Sequence, residues 1–292
     1  MGKFFAKLKH SWLKRFGSDR QIVEQLYKSE HGHLPELLQP QTFNEKIQWY
    51  KLHYRNPLMT LVADKHRVRE YVAQLGLGHL LNELHGVYDS AAQIDFDALP
   101  AAFVLKATHG SGMNILCKDK AALDREDCRW QMERWLKTDF YRPGREWAYK
   151  NIRPRIVCEK YLENEGCGEL IDYKFYCYGG KPEVVFVCFN RFGPGGVRHE
   201  CYDLAWKQIH VLKGRPAASG NHPRPSQFAE MIAAAAALAA GFPFVRVDLY
   251  LVRGRIIFGE MTFYPDCGLL PFSPPKFNRY FGDLFVLPAK SS

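Results

Sequence analysis

The sequence of 292 residues predicts an α+β fold. Its strand-like segments come in antiparallel pairs, and its helical segments lie between these pairs. One pair joins Asp172–Tyr178 to Glu183–Phe189 across Gly179-Gly180. A second pair lies within Phe244–Thr262 and turns at Gly254. Strands grouped in this way argue against a doubly wound parallel sheet.

Helix signals dominate the first part of the chain. Thr42 followed by Glu45 has the spacing of a capping box and predicts a helix start. A second helix is predicted over Asp64–Leu75 and ends at Gly76. The other predicted strands are Phe103–Ala107, Asn114–Cys117 and Arg155–Tyr161. The other predicted helices are Asp124–Thr138, which Asp124 opens, and Ser226–Ala240, with Ser226 as its cap and Gly241 as its stop.

These elements divide the chain into four predicted regions. Residues 1–18 form a basic amphipathic segment, and residues 19–100 form a mostly helical region. Residues 101–160 form a lobe with a glycine-rich loop, and residues 161–292 form a lobe with the carboxylate-bearing hairpin.

Composition narrows the class of protein. With 47% hydrophobic and 24% charged residues the chain has the makeup of an ordinary globular protein. No run approaches the roughly 18 apolar residues that a membrane span needs. Lysines interrupt the apolar N-terminal residues, which argues against a secretory signal. The eight cysteines contain no Cys-x-x-Cys pair, so we expect reduced thiols in a cytoplasmic protein.

The net charge of +9 predicts an anionic partner: a nucleotide, an anionic polysaccharide, a nucleic acid or a membrane surface. Part of the excess lies in Met1–Phe16, where five basic residues alternate with aromatic and apolar ones at close to helical spacing. This segment is either a helix at the inner face of an anionic membrane or a helix that packs on its own domain. The second is the commoner fate of such stripes.

The register of the second hairpin decides whether Asp248 and Glu260 meet. A two-residue turn at Arg253-Gly254 pairs Asp248 with Gly259 and places Glu260 among core residues. A three-residue turn over Arg253–Arg255 pairs the two carboxylates directly. It leaves on the core face Val247, Leu249, Leu251, Ile257 and Met261. We predict the three-residue turn, because that register buries no charge.

Carboxylates side by side in a sheet are destabilising unless a cation neutralises them. Their hard oxygen atoms suit Mg²⁺ carrying nucleotide phosphates. A solvated hairpin edge, with both carboxylates paired to nearby arginines such as Arg246, is an equally good interpretation of this feature alone.

A glycine loop, Thr108–Asn114, joins two predicted strands. It matches neither a P-loop nor Gly-x-Gly-x-x-Gly, but its backbone N–H groups can cover phosphates, and Lys106 precedes it. Further along the chain, the strand Ile156–Leu162 begins with apolar residues and continues into charged ones. In a nucleotide site its backbone would meet an adenine edge, and Glu165 or Glu169 would take the ribose hydroxyls. Each signal alone is as well explained by a plain turn or a linker.

Basic residues also lie on the first hairpin. Lys174 and Arg191 are on successive segments and would clamp a γ-phosphate in a nucleotide site. Otherwise both are surface charges on a sheet.

The order of these signals is more specific than any one of them, and the chain resembles the TupA-like ATP-grasp family of polysaccharide biosynthesis clusters. The resemblance runs from about Thr42 to the C-terminal region. It depends on the motifs Thr42–Trp49, Asp64-Lys65, Lys106, His109-Gly110-Ser111-Gly112, Asp172–Phe175, Arg246–Tyr250 and Gly259–Pro265.

The resemblance implies an ATP-grasp fold, in which two α+β lobes grip ATP behind a mainly helical N-terminal segment. Lys106 would contact phosphate, and the 109–112 loop would close over it. The adenine would be bordered by Glu159, Lys160, Tyr161 and Leu162. Asp248 and Glu260 would hold Mg²⁺, with Thr262 at the position where many ATP-grasp enzymes have an asparagine ligand.

The implied activity is a carboxylate–amine ligase that works through an acyl-phosphate. Lys106, Lys174 and Arg191 would neutralise the transferring phosphoryl group, and Arg246 would orient the reacting carboxylate. The predicted substrates are an amino acid and an anionic glycan or sugar precursor, including sugar nucleotides. Tyr264, Asp266 and the polar loop Lys213–Pro225 are candidates for the acceptor side.

Two other classes of function explain part of the sequence. A glycosyltransferase would need a metal-binding Asp-x-Asp, and the nearby candidate is Asp95-Phe96-Asp97 in an unfavourable context. A basic module for membrane or nucleic acid would explain the charge and Met1–Phe16. It leaves the order of lysine, glycine loop and carboxylates unexplained, so nucleic acid is an unfavoured partner.

Overall fold

The computed structural model describes residues 17–163, 170–189, 196–214 and 222–290. The N-terminal part of the described chain is helical. Its helices are α1 Asp19–His31, α2 Phe43–His53, α3 Pro57–Ala63 and α4 Val68–Gln74. No helix within the described ranges is long and apolar enough to cross a bilayer.

Helix α2 begins at the predicted capping box. The Thr42 hydroxyl accepts a bond from the Glu45 N–H, and the Glu45 carboxylate accepts one from the Thr42 N–H at 3.0 Å. The helix packs on the C-terminal helix Lys276–Leu284, where a Cβ on Gly282 would lie 2.2 Å from the Gln41 carbonyl oxygen. Only glycine permits this close approach, which brings the two ends of the described chain together.

The first lobe is built on a four-stranded antiparallel sheet. Its strands are β1 Leu84–Tyr88, β2 Phe103–Ala107, β3 Asn114–Cys117 and β4 Ile156–Lys160, in the order β1-β4-β2-β3. Helix α5 Arg125–Leu136 begins after Asp124, whose carboxylate caps it as predicted. Its Met132 packs with Phe103, Leu105 and Ile156 in a buried apolar cluster. A single short turn of helix, α6, follows at Tyr141–Gly144.

The second lobe is built on a six-stranded antiparallel sheet in the order β11-β10-β5-β6-β7-β8. Its strands are β5 Asp172–Tyr178, β6 Lys181–Phe189, β7 Arg198–Asp203, β8 Gln208–Ile209, β10 Phe244–Val252 and β11 Arg255–Thr262. Two short strands, β9 Leu212–Lys213 and β12 Phe272–Ser273, pair separately. The α+β class is as predicted.

Helix α7 Phe228–Ala239 covers one face of this larger sheet, and α8 Lys276–Leu284 follows β12. The predicted cap of α7 is wrong. The helix begins after Gln227, no side chain caps it, and the Ser226 hydroxyl instead donates to Gln227 Oε1 at 2.7 Å. Its alanine-rich face lies over β5, β6 and β10, where small side chains let helix and sheet approach closely.

The turn between β10 and β11 differs from the predicted one. It has two residues, Arg253 and Gly254, both with positive φ (51° and 74°), as a type I′ hairpin requires. The register then shifts beside Gly259, so that Asp248 still pairs with Glu260. The predicted pairing is confirmed, but the three-residue turn is wrong, because the prediction did not treat Gly259, an isolated glycine within a strand, as the site of a bulge.

The bulge also changes the predicted core face. Leu249 is opposite Phe258 and Leu251 is opposite Ile256, and both Phe258 and Ile256 belong to the main apolar core. Ile257, predicted on that face, is opposite Tyr250 instead. A Cβ at Gly259 would lie 2.9 Å from the Asp248 carbonyl oxygen, so the bulge needs a residue without a side chain there.

Candidate active site

A cleft of about 1120 Å³ lies between the two sheets. The first lobe lines it with Lys106, Ser111, Gly112 and Lys160–Leu162, among others. The second lobe lines it with side chains of β5, β10 and β11, including the predicted metal ligands. The structure therefore brings together most of the predicted site residues that it describes.

Lys106 and Glu159 form an ion pair on the first lobe. They lie on adjacent strands β2 and β4, and Lys106 Nζ is 2.6 Å from Glu159 Oε2. Arg69 lies 4.0 Å from the other carboxylate oxygen. Glu159 is thus placed to hold Lys106 in position, whereas Lys160, Tyr161 and Leu162 line the cleft beyond it.

Lys65 joins the glycine loop to the second lobe. Its ammonium donates to the Gly110 carbonyl, and Nζ lies 3.9 Å from Glu260 Oε2. Burial lowers the pKa of Lys65, although Glu260 opposes this effect. Lys65 was not one of the predicted site residues, although the Asp64-Lys65 motif was part of the family resemblance.

The glycine loop presents only part of its predicted residues to the cleft. Ser111 and Gly112 line it, and Gly112 has a φ of 74° that favours glycine. His109 is buried, and its Nε2 lies 3.0 Å from the Trp135 carbonyl at the end of α5. The His109 side chain thus anchors the loop to α5.

The carboxylate pair is bridged by Arg246. Its guanidinium donates to both oxygens of Asp248 at 2.6 and 2.7 Å, and to Glu260 Oε1 at 2.9 Å. It also donates to the Thr262 hydroxyl at 3.1 Å, which in turn donates to Glu260 at 3.1 Å. Alternation of side chains along β10 and β11 places all four residues on one face.

Lys174 completes this network from β5. Its ammonium lies 2.9 Å from Asp172 and 2.5 Å from Asp248. Burial disfavours its charge, yet these two carboxylates raise the pKa of Lys174. Asp172 is therefore a second site residue that sequence analysis missed, although it stands in the quoted Asp172–Phe175 motif.

Burial and charge act in opposite directions on the acids of the network. Burial raises the pKa of Asp248, against the effect of Arg246 and Lys174. Burial also opposes ionisation of Glu260, but Lys65, Arg246 and Lys174 lower its pKa to about 2. Burial disfavours the Arg246 charge, and the two carboxylates raise the pKa of Arg246 well above its usual value. Groups so strongly perturbed in a cleft are typical of functional sites.

The far end of the cleft is shaped by a turn after β11. Asp266 and Cys267 have positive φ (54° and 56°), and Gln48 and Lys51 of α2 donate to the Cys267 carbonyl at 3.2 and 2.6 Å. Lys213 lies 2.9 Å from Asp266 and is almost fully buried. Tyr264 and Asp266, predicted on the acceptor side, both line this end.

Some predicted residues lie outside the described ranges. They are Glu165, Glu169, Arg191, Met1–Phe16 and the greater part of the loop Lys213–Pro225. The alternative motif Asp95-Phe96-Asp97 is described and does not line the cleft. Phe96 is buried in the core of the first lobe, and Asp97 pairs with Arg125 at 2.7 Å.

Two antiparallel lobes that face each other across a cleft, with a lysine and a glycine loop on one side and a carboxylate hairpin on the other, define an ATP-grasp protein. The chain belongs to the TupA-like ATP-grasp family, whose model matches residues 45–286. The predicted family is confirmed, as are ATP with Mg²⁺ as its cofactors. No curated protein is detectably similar to the chain.

Several similar solved structures are ligases by name. A D-alanine–D-alanine ligase from Bacillus anthracis, complexed with ATP, has 13% identity and a TM-score of 0.41 over 70% of this chain and 55% of its own. An L-amino acid ligase from Bacillus licheniformis has 17% identity and a TM-score of 0.46, over 77% and 49%. The chain thus spans about half the length of these two proteins. The assignment is based on the family match, because such similarities are too low to support it.

The oxygen atoms of the carboxylate pair fit a hard divalent cation. Asp248, Glu260 and Thr262 offer carboxylate and hydroxyl oxygens, which are the ligands that Mg²⁺ prefers. In this arrangement Arg246 and Lys174 neutralise the acids. Asp248 can ligate a metal ion only after one of these cations moves away from it. The described residues contain no preformed group of three or more His, Cys, Asp or Glu side chains that would hold a metal.

Proposed function

We propose that the protein is an ATP- and Mg²⁺-dependent ligase that activates a carboxylate as an acyl-phosphate and joins it to an amine. Within that class, we propose that it attaches an amino acid to the carboxylate of a uronic-acid-containing glycan or sugar precursor in surface polysaccharide synthesis. The protein then works in the cytoplasm or at the inner face of the membrane, where such precursors are made.

The observation that carries this proposal is the network of Arg246, Asp248 and Glu260 across the cleft from Lys106. The cations of this network suit the negative oxygens of a phosphoryl group. Its carboxylates suit the metal ion that accompanies the phosphates. The cleft, at about 1120 Å³, exceeds the volume of roughly 300–1,000 Å³ that encloses one ligand of drug size. This is room for a nucleotide and a second substrate together.

In the proposed reaction a substrate carboxylate oxygen attacks the γ-phosphorus of ATP, the bond to ADP breaks, and an acyl-phosphate forms. Lys106 and Lys174 neutralise charge on the transferring group, and Arg246, once it has moved away from Asp248, orients the carboxylate through its paired N–H donors. Asp248, Glu260 and Thr262 would hold Mg²⁺, which would further neutralise the phosphates. An amine then displaces phosphate.

Release of ADP in the presence of candidate carboxylates and amines tests the proposal. Asp248→Asn and Glu260→Gln should each lower the rate by at least about 100-fold, because each removes a carboxylate that would hold the Mg²⁺ whose positive charge the transferring group needs. Asp283→Asn, which breaks a surface pair with Arg279, is the matched control and should keep wild-type activity. Full turnover in both site variants, each with an intact fold, would exclude this site.

Thermal shifts separate the ligase from a glycosyltransferase. A ligand at about 100 times its Kd stabilises the folded state by about 2.7 kcal/mol, which is a shift of several degrees. We expect this shift with Mg-ATP and Mg-ADP and a smaller one when a chelator is present. Stabilisation by UDP-sugars and not by adenine nucleotides would favour the transferase.

A further inference from the structure

We propose that Glu146 is the base that takes the proton from the incoming amine, which rests on the ligase function proposed above. Glu146 lines the cleft between α6 and the short turn Trp147–Tyr149. Only 9% of its surface is exposed. A buried carboxylate that faces a substrate cleft either has a cation of its own or receives one from the ligand.

Three other acids that line the cleft already have cations. Asp248 is paired with Lys174, Glu260 with Arg246, and Asp266 with Lys213. Among the residues that the structure describes, no Lys, Arg or His nitrogen lies within 4.0 Å of the Glu146 carboxylate. The Glu146 carboxylate is therefore available to pair with the ammonium group of a substrate.

Lys51 is the nearby cation, and its bonds are directed elsewhere. Its ammonium donates to Gln48 Oε1 at 3.0 Å, and to the carbonyl and Sγ of Cys267 at 2.6 and 2.9 Å. The Cys267 thiol donates to the Gly144 carbonyl at 3.7 Å, and a Cβ on Gly144 would lie 2.7 Å from Cys267 Sγ and 3.1 Å from Glu146 Oε1. The thiol and the carboxylate are therefore close together, and the Lys51 ammonium is bonded to the cysteine rather than to Glu146.

Glu146 also interacts electrostatically with residues near the carboxylate pair. Tyr149 is partly buried, and its pKa is raised by burial and then by both Glu146 and Glu260. Arg246 acts electrostatically on both Tyr149 and Glu146. The groups that face Glu146 are thus Lys51, Cys267, Asp266, Arg246, Tyr149 and Tyr264, and burial is the largest influence and raises its pKa. A carboxylate with a raised pKa is a better proton acceptor near neutral pH.

The protons and bonds of the step balance. The bound ammonium gives one proton to the Glu146 carboxylate, and the freed nitrogen lone pair attacks the acyl carbon. The carbon–oxygen bond to phosphate breaks, and its electron pair leaves with phosphate. The new amide nitrogen then loses a second proton, which phosphate takes. Glu146 returns its proton to water after the product leaves.

Hydroxylamine separates this role from a structural one, because its nitrogen is largely uncharged at neutral pH and needs no base. Wild-type protein is given Mg-ATP and glucuronate or galacturonate, with either hydroxylamine or an amino acid from a panel. In Glu146→Gln we expect hydroxamate formation to stay within about threefold of wild type. Amide formation should fall by about 10²–10⁴-fold. As the pH rises and more amine is uncharged, the amide rate of the variant should approach that of wild type.

Two further variants control for folding. Glu146→Asp keeps a carboxylate and should recover part of the amide rate. Glu200→Gln removes a buried carboxylate that bonds Tyr202 and His222 outside the cleft, and should leave the ratio of amide to hydroxamate unchanged.

The outcomes distinguish the two proposals. If Glu146→Gln loses hydroxamate and amide equally, or keeps both, the base assignment is wrong while the ligase stands. If wild-type protein forms no hydroxamate with any carboxylate supplied, the ligase proposal fails and the base assignment falls with it.

Discussion

The charges around Glu260 predict how the stability of the protein changes in acid. Burial opposes ionisation of Glu260, but Lys65, Arg246 and Lys174 lower its pKa from 4.5 to about 2. The folded state therefore binds this proton less tightly than the unfolded state. The resulting stabilisation is complete above about pH 5 and is lost as the pH falls from 4.5 through 2.

The magnitude follows from the two pKa values. Their difference, at 1.36 kcal/mol for each pKa unit, corresponds to about 3.4 kcal/mol. Because 32% of the Glu260 side chain is exposed, solvent screens these interactions, and we take about 2 kcal/mol. About two-fifths of this, or roughly 1 kcal/mol, is lost by about pH 3.5. For a chain of this size that is about 2–4 °C in Tm.

The assay compares wild-type protein with Glu260→Gln, both without nucleotide and with a chelator. The Tm of each is measured by calorimetry at about pH 6 and about pH 3.5. Wild type should lose about 2–4 °C more than the variant between these conditions. Glu70→Gln, at an exposed position of α4, controls for the removal of one carboxylate. Parallel losses in wild type and Glu260→Gln would refute the electrostatic reasoning.

Three further changes test other parts of the structure. Gly259→Ala places a Cβ 2.9 Å from the Asp248 carbonyl oxygen and should cost about 1–3 kcal/mol, read from urea unfolding. The same variant should also release ADP more slowly, because Glu260 moves with the strand. An unchanged rate would mean that activity does not depend on the bulge. Thr42→Ala removes the α2 cap and should cost about 1 kcal/mol while ADP release is unaffected. Lys65→Met removes a cation between the glycine loop and Glu260, so the Kd for Mg-ADP should rise by at least about tenfold, and an unaltered Kd in titration calorimetry would contradict this role.

Local signals predicted much of the fold. The capping box at Thr42 and Glu45 and the carboxylate cap at Asp124 are short-range hydrogen bonds, so the sequence nearby contains all their partners. Phe103–Ala107 and Asn114–Cys117 have the predicted bounds, because apolar runs between turn residues are local as well. Strand β1, Leu84–Tyr88, was not predicted. All its residues are half-buried, and no alternation of apolar and polar residues marks it.

The site was harder to predict where its geometry depends on long-range contacts. The pairing of Asp248 with Glu260 was predicted from the cost of burying a charge. The bulge that produces this pairing was not predicted. Lys65 and Glu146 were missed because no local pattern marks either as a site residue, although Asp64-Lys65 was quoted for the family resemblance. Lys65 is held at the cleft by bonds from its backbone N–H and its ammonium to carbonyls of the glycine loop, far away in sequence. No spacing rule spans such separations in sequence.

The bulge at Gly259 has a consequence for comparing sequences of this kind. The shift in pairing lies between the hairpin tip and the carboxylate pair. The number of residues in the tip therefore does not determine which residues pair at the carboxylates. Counting back from the turn therefore assigns the wrong partner to Asp248. An alignment anchored on the Gly259-Glu260 step assigns the right one, whatever the length of the tip. The tip itself, at Arg253-Gly254, becomes a place where a peptide tag or a fluorophore can be inserted at a distance from the chemistry.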